Sequence, residues 1–306
     1  MKAYLTRRVL VAVPSLLAVT VLIFVAMRVV PGDPAVLLAG DFATPDTVAA
    51  LRARWGLDRP LVVQYAVFMA RLVRGDLGES IVSDLPVLDE ILQRFRVTVV
   101  LALAAISVAV LVGLSAGILG ATRPYSGWDY GSMVLALVGV STPIFWSGML
   151  LILLFAVRLG WLPTGGVGSW QNFILPAVSL GFFAAGIIAR QTRAAMLDVL
   201  RQDYIRTARA KGVGEPGVIQ RHALRNALIP VVTIVGLEFG RLLGGAVLTE
   251  TVFSLPGLGS FLVVSIFKRD YPVIQGVVLW LALAFVLINM LVDVVYAALD
   301  PRIHYA

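Results

Sequence analysis

The chain has 306 residues, of which 59% are hydrophobic and only 14% are charged, and its net charge at pH 7 is +7. Soluble domains carry about 25% charged residues, so this composition excludes an ordinary water-soluble fold and predicts a membrane protein. The sequence has no cysteine and only two histidines, which excludes disulfides, thiolate metal sites and a histidine-rich metal centre.

Six apolar stretches are long enough to cross a bilayer as helices. About 20 apolar residues are needed, because lipid offers the backbone no hydrogen-bond partner outside the helix itself. The first stretch follows basic residues, as in a secretory signal, but it lacks a small-residue cleavage site, so we interpret it as an uncleaved membrane helix. Pro143 is expected to bend the third span. The predicted spans are 9–30, 97–121, 133–157, 173–189, 229–249 and 273–298.

The distribution of Lys and Arg outside these spans predicts that both termini lie in the cytoplasm. In that orientation, 13 Lys and Arg residues fall in cytoplasmic segments and three in the short outer loops. This matches the excess of positive charge that cytoplasmic loops carry. Residues 31–96 contain seven more, but so long a segment crosses the membrane largely regardless of charge. Loop charge thus explains the pI near 10.0, and we expect no nucleic-acid partner.

Residues 31–96 are predicted to form helices outside the membrane. Thr44 is typical of a helix cap, Pro45 of the first helical position and Gly56 of a helix end. Helical spacing then predicts which residues of this outer region pack inward. They are Val48, Leu51 and Trp55 on the first helix, followed by a second amphipathic stretch from Pro60 to Arg74.

The fifth and sixth spans contain polar residues that are costly in lipid. Glu238 and Arg241 are three residues apart on one helix and close enough to pair. Each charge costs about 2.5–3.5 kcal/mol at the centre of a membrane helix, so we expect this helix to face protein or a water-filled path. The pair either fixes helix register or lines a conduction path. The candidates for translocation or helix packing are Gly236, Glu238, Gly240, Arg241, Gly244, Glu250, Asn289 and Asp293.

The cytoplasmic segment 190–228 carries eight positive charges against three acids. Apolar residues are interleaved with these charges, and glycines near 212–217 interrupt the helical pattern. The pattern predicts a helix, a turn and a second short helix from Val218 to Leu228. Such a hairpin favours docking to another protein, although contact with anionic lipid or a topology signal is the alternative.

The chain contains no phosphate-binding loop for a nucleotide. None of its three lysines follows a glycine, so no Gly-Lys-Ser/Thr motif exists. If transport is driven by a nucleotide, another polypeptide must bind that nucleotide.

Several motifs occur in order along the chain: Pro31–Ala35, Gly56–Pro60, Gly75–Gly78, Thr207–Gly212, Arg221–Leu228, Glu250–Gly259 and Asp300–Arg302. Together they resemble the permease subunits of ABC importers for dipeptides, oligopeptides and nickel, specifically the subunit with a large outer loop. Two stretches depart from that pattern. Arg206-Thr207-Ala208 stands where the general signature has Glu-Ala-Ala, and Arg96-Val97-Thr98 stands where proline and alanine commonly precede the threonine.

The resemblance implies an all-α multi-pass protein of the inner, cytoplasmic membrane that forms a pore and is not itself an enzyme. Its partners would be a second homologous permease, two ABC ATPase subunits and an extracytoplasmic substrate-binding protein. ATP and Mg²⁺ would be bound by the ATPases, with no cofactor or metal in this chain. The residues implied in coupling to the ATPase are Arg206, Thr207, Ala208, Lys211, Gly212, Val213, Arg221 and His222.

These considerations predict a permease subunit that translocates di- or oligopeptides. Nickel or another small solute is the alternative cargo. A stand-alone carrier driven by an ion gradient, with Glu238, Glu250 or Asp293 titrating, is a rival mechanism. The predicted regions are an N-terminal transmembrane helix at 1–30, an extracytoplasmic helical region at 31–96, and a five-helix permease core at 97–306 that includes the coupling segment 190–228.

Overall fold

The structure, a computed structural model, describes residues 2–29, 32–40 and 44–299. These residues are almost entirely helical, with one isolated bridge between Glu79 and Pro86. Pro31 and the motif Asp300–Arg302 lie outside the described residues. The chain divides into two compact units, a first unit of Met1–Thr98 and Pro256–Val286 and a second unit of Val99–Leu255 and Leu287–Ala306.

The helices confirm the predicted number of spans. Among the described residues, five helices are long and apolar enough to cross a membrane. A pair of helices joined at a sharp bend makes a sixth span if the pair counts as one. The α-helices are α1 (Lys2–Val29), α2 (Pro34–Ala39), α3 (Pro45–Trp55), α4 (Leu61–Val73), α5 (Val87–Thr122), α6 (Gly127–Ser141), α7 (Ile144–Leu151), α8 (Ile174–Leu200), α9 (Asp203–Ala210), α10 (Glu215–Gly217), α11 (Leu224–Gly245), α12 (Val247–Val252), α13 (Leu258–Lys268) and α14 (Tyr271–Leu299). π-Helical turns lie at Ile152–Arg158 and Val218–Ala223, and a 3-10 turn lies at Trp170–Phe173.

The bend in the third predicted span is a break between two helices. The axes of α6 and α7 differ by 103°, with Thr142 and Pro143 between them. Proline has no backbone N–H and disfavours a helical conformation in the residue before it, so α6 ends at that point.

Several helices extend beyond their predicted ends. Helix α5 begins at Val87 rather than at residue 97, and α8 continues to Leu200 rather than ending at 189. The short second helix predicted from Val218 to Leu228 is wrong, because the chain is helical from Glu215 through Gly245 as one stretch. The predicted ends of α5 and α8 fall beside charged residues, Arg96 and Arg190, whereas the helices continue past them into the polar segments.

In the first unit, the predicted start and end of α3 are confirmed. The Thr47 N–H donates to Thr44 Oγ1 at 3.3 Å, and Gly56 ends the helix in a left-handed conformation with φ of 63°. The predicted inward face is also confirmed. Val48, Leu51 and Trp55 are half-buried, whereas the other side chains of α3 are exposed.

A buried carboxylate joins the end of the outer loop to the beginning of α14 within the first unit. Asp270 accepts hydrogen bonds from Ser80 Oγ at 2.5 Å and from the Ile81 N–H at 3.1 Å. Nearby, Thr98 Oγ1 accepts from the Leu258 N–H at 2.9 Å. A small apolar core supports these bonds, formed by Val87, Ile91, Leu258, Val273 and Val277.

In the second unit, small residues let α5, α6 and α8 pack closely. A β-carbon at Gly181 of α8 would lie 2.5 Å from the Ala105 carbonyl oxygen of α5, and one at Gly186 would overlap the Ala136 carbonyl oxygen of α6. Residues 113–117 have the Gly-x-Ser-x-Gly spacing of a hydrolase elbow, but they lie inside α5, where Gly113 packs on α8. Close contact between helix backbones therefore organises this unit.

Candidate coupling surface and membrane polar residues

Helix α9 packs against the rest of the second unit through one apolar face. Ile205 is buried in a core that also contains Val218 and Ala223 from the following helical stretch, and Ala208, three residues further along α9, is buried as well. Tyr204 reinforces this attachment, because its hydroxyl accepts a hydrogen bond from Asn226 Nδ2 at 2.8 Å. The remaining face of α9 is exposed and charged. A rigid helix with one anchored and one charged face suits docking to a partner.

The turn after α9 projects into open space. Gly212 has a φ of +79°, a left-handed conformation that favours glycine, and its N–H donates to the Arg209 carbonyl at 3.0 Å. The next N–H, of Val213, donates to the Ala208 carbonyl at 3.2 Å. A β-carbon at Gly212 would meet no atom within 4 Å. The tip of this turn is therefore fixed by backbone hydrogen bonds and uncovered.

An ion pair spans the turn on its exposed side. Arg209 Nε lies 2.6 Å from Glu215 Oε1, and Arg209 Nη2 lies 3.3 Å from Oε2. The Glu215 carboxylate raises the pKa of the Arg209 guanidinium above its ordinary value through this hydrogen bond. Both side chains are exposed, so solvent screens the attraction. The pair orients the turn rather than holding the unit together.

The predicted coupling residues divide by exposure. Ala208 is buried, so it can act on a partner only by holding α9 in place, while Val213 and His222 are half-buried. The exposed members form a mostly basic surface on α9, on its turn and on the helical stretch that follows. They are Arg206, Thr207, Lys211, Gly212 and Arg221.

The predicted pairing of Glu238 with Arg241 is confirmed. Arg241 Nη1 donates to Glu238 Oε1 at 2.8 Å. The carboxylate side chain is only 6% exposed, whereas the guanidinium side chain is 56% exposed. The positive end of the pair thus lies on an uncovered face of α11. The pair is therefore not fully buried within this chain.

The other candidates in the membrane segments are spread over three helices. Of the three glycines named as packing candidates on α11, Gly236 packs closely, because a β-carbon there would overlap Val292 of α14. Gly244 is exposed, and a β-carbon there would meet no atom of this chain within 4 Å, so its packing against a neighbouring helix stays a prediction. The remaining members are Gly240, buried on α11; Glu250, fully buried on α12; and Asn289 and Asp293, both half-buried on α14.

A largely buried ion pair of the second unit was not predicted. Arg193 of α8 makes two bonds to Asp129 of α6, Nε to Oδ1 at 2.6 Å and Nη2 to Oδ2 at 2.7 Å. Asp129 is 3% exposed and Arg193 is 26% exposed. Arg193 was predicted to be a charge of the cytoplasmic segment 190–228, because α8 was expected to end before it. The only local signal is that Asp129 lies in the first turn of a helix capped by Ser126.

Comparison with known proteins gives the family. Residues 109–305 match the family described as binding-protein-dependent transport system inner membrane component. Residues 1–102 match its counterpart, the N-terminal family of such membrane components. The chain belongs to the ABC importer permease family. It is therefore a multi-pass inner-membrane protein and a pore-forming subunit, and the rival of a stand-alone carrier is set aside.

Full-length relatives of the permease support the same assignment. The glutathione transport system permease protein GsiC of Escherichia coli O6:H1 (strain CFT073) is 50% identical over 302 residues, 99% of each chain. GsiC of Salmonella choleraesuis (strain SC-B67) is 49% identical over the same share. A solved structure of the MetNI methionine ABC transporter has a TM-score of 0.61 at 20% identity and covers 70% of the permease and 97% of that chain. The last comparison supports the fold alone.

Proposed function

We propose that this permease translocates small peptides, with glutathione the first candidate, from an extracytoplasmic binding protein to the cytoplasm. The observation that carries this proposal is the 50% identity, over 99% of both chains, to a permease named for glutathione transport. Glutathione is itself a tripeptide, so this cargo falls in the class predicted from the sequence. Nickel is the competing cargo.

Energy for transport is proposed to come from two partner ATPases that bind ATP and Mg²⁺. The surface of the permease that meets them is α9 with its turn, residues 203–213, inside the coupling segment 190–228. Three features support this surface: burial of Ile205 and Ala208, which holds α9 rigidly; the exposed basic face; and the open space over Gly212. The proposal includes no acidic contact from residues 206–208 to the ATPase, because Arg206-Thr207-Ala208 has no carboxylate.

The proposed translocation path runs along the uncovered face of α11, between this permease and a second, homologous one. Arg241 and Gly244 are exposed on that helix. A charged group in a membrane segment belongs against protein or water rather than lipid, so this face needs a covering partner or a polar path. With both termini cytoplasmic, residues 31–96 form the extracytoplasmic region and meet the binding protein.

An uptake assay tests the cargo. The complete importer would be expressed in cells that lack their own peptide, glutathione and nickel importers, and the accumulation of radiolabelled glutathione, a dipeptide and nickel would be compared. We expect glutathione or dipeptide uptake that is lost when a partner ATPase is inactivated. Nickel accumulation without uptake of either peptide would contradict the proposal.

A further inference from the structure

A cavity of about 200 Å³ lies within the first unit, among the outer-loop segments and the first turn of α14. A single water needs about 10–15 Å³ of such space, so the cavity has room for a larger polar group. Its lining includes charged and amide side chains from four parts of the unit. They are Arg28 of α1, Arg59 of the turn before α4, Gln64 and Arg71 of α4, and Tyr271 and Gln275 of α14.

Arg28 enters this cavity with only neutral partners. Its Nε and Nη2 donate to Gln64 Oε1 at 3.2 and 2.8 Å, and its Nη1 donates to the Phe24 carbonyl at 3.0 Å. The guanidinium lies 3.3 Å from the centre of the Phe24 ring. Within the described part of the chain, no carboxylate forms an ion pair with it. A half-buried guanidinium without a counterion is an unfavourable arrangement that a bound anion would relieve.

Gln275 supplies a second, independent observation. Its side chain is 5% exposed, and its Nε2 group has no hydrogen-bond acceptor among the described residues. Buried donors in native proteins almost always have a partner, so an orphaned amide against a cavity indicates a missing acceptor. Gln275 and Tyr271 belong to the first two turns of α14.

The charge around the cavity is positive. Arg54, Arg59 and Arg71 line it in addition to Arg28, against the carboxylates of Asp76 and Glu79. One of these arginines is already neutralised from outside the lining, since Arg54 Nη2 lies 2.8 Å from an oxygen of Asp84. Arg59 and Arg71 form no ion pair with the described residues. Cations therefore outnumber anions at this site.

We propose that the cavity binds an oxyanion, a carboxylate or a phosphate, with Arg28 and Gln275 as its principal donors. A guanidinium matches the two oxygens of either group. The oxyanion has two sources: the headgroup of an anionic phospholipid or a free carboxylate of a solute. The site itself does not depend on which solute the permease carries.

Native mass spectrometry of the whole importer in detergent tests the site. Phosphatidylglycerol, glutathione and, as the lipid without net charge, phosphatidylcholine would be titrated separately against wild type, Gln275→Leu and Arg28→Gln. The matched control is Arg52→Gln, which loses the same charge from an arginine paired with Asp33 at 2.5 Å and outside the cavity lining. We expect both cavity variants to bind one anionic probe about tenfold more weakly, and the control to bind it as wild type does.

The outcome also separates the two sources. Weakened binding of phosphatidylglycerol assigns the cavity to lipid, and weakened binding of glutathione assigns it to solute. Unchanged binding of both probes in both cavity variants, or binding by wild type no stronger than that of phosphatidylcholine, would overturn the proposal. If the variants do not assemble, a cryo-electron microscopy map of the wild-type importer with phosphatidylglycerol or glutathione decides the question: density against Arg28 and Gln275 supports the site, and an empty or water-filled cavity contradicts it.

Discussion

Helices α8 and α11 belong to the same unit but relate to their surroundings in opposite ways. In the span Trp170–Leu200, which contains α8, 67% of the most apolar window is buried, against 33% in the span Glu215–Gly245, which contains α11. Helix α8 contacts its neighbours through glycines and a salt bridge, whereas α11 leaves Arg241 and Gly244 uncovered. A helix that is satisfied within its own chain serves as a scaffold. One with an uncovered polar face needs a partner or a polar path to cover it.

The largest expected effect comes from filling the contact between α6 and α8. Leucine at Gly186 would force its β-carbon into the Ala136 carbonyl, and backbone cannot move aside as a flexible side chain does. We expect Gly186→Leu to give no monodisperse permease on size-exclusion chromatography after extraction in detergent. Gly244→Leu on α11 is the matched control and should purify normally when the permease is expressed without its partners, because nothing in this chain lies within 4 Å of that position. Equal yields of the two variants would show that the contrast between the helices is wrong.

The ion pair between Asp129 and Arg193 gives the next largest effect. Arg193→Met leaves the Asp129 carboxylate buried without a counterion, at a cost of about 3 kcal/mol in the free energy of unfolding. Thermal unfolding of the permease in detergent should show a clear loss of stability. The double variant Asp129→Leu/Arg193→Met removes both charges and should recover much of it. A single variant as stable as wild type would contradict the scaffold role of this pair.

The pair on α11 should affect transport more than folding. Arg241→Gln leaves Glu238 buried without its partner, whereas Glu238→Gln/Arg241→Gln removes both charges. If the pair only fixes helix register, the double variant recovers transport. We expect instead that uptake stays about tenfold below wild type, because a charge in a membrane segment usually serves the transport path. Uptake by reconstituted vesicles measures this, and full recovery in the double variant would favour the register role.

The smallest effect is expected at the turn after α9. Arg209→Gln breaks a pair whose members are both exposed, so the melting temperature of the permease should not change measurably. The rate of ATP hydrolysis by the importer should fall by no more than about twofold, since the backbone hydrogen bonds of the turn remain. A large loss of stability would mean that the turn is less well anchored than Ile205 and Ala208 indicate.

Features set by neighbouring residues could be predicted from the sequence. The cap at Thr44, the helix end at Gly56 and the inward face of α3 follow from residue type and helical spacing. The pair of Glu238 and Arg241 follows from a separation of three residues on one helix. Span number follows from the length of the apolar stretches. Each of these features depends on residues that are close together in the sequence.

Features set by distant residues could not be predicted. Asp129 and Arg193 are 64 positions apart, and Ser80 and Asp270 are 190 apart, so no local pattern brings them together. The wrong predicted start of α5 and the wrong predicted end of α8 have a different origin, which is the charged residue beside each of them. A charged residue stops a helix from entering lipid but does not stop the helix itself. The packing glycine at Gly113 carried a usable signal, because Gly117 follows at the spacing of close helix contacts.

The claim that α9 and its turn dock on the ATPases is tested most directly by co-purification of Gly212→Trp. Gly127→Trp is the control, since its side chain would also meet open space but lies on α6. Gly212→Asn keeps a residue that tolerates the left-handed backbone and so separates strain from steric block. We predict that Gly212→Trp inserts in the membrane but retains about tenfold less ATPase than either other variant. Normal ATPase recovery and normal solute-stimulated hydrolysis in Gly212→Trp would contradict the account.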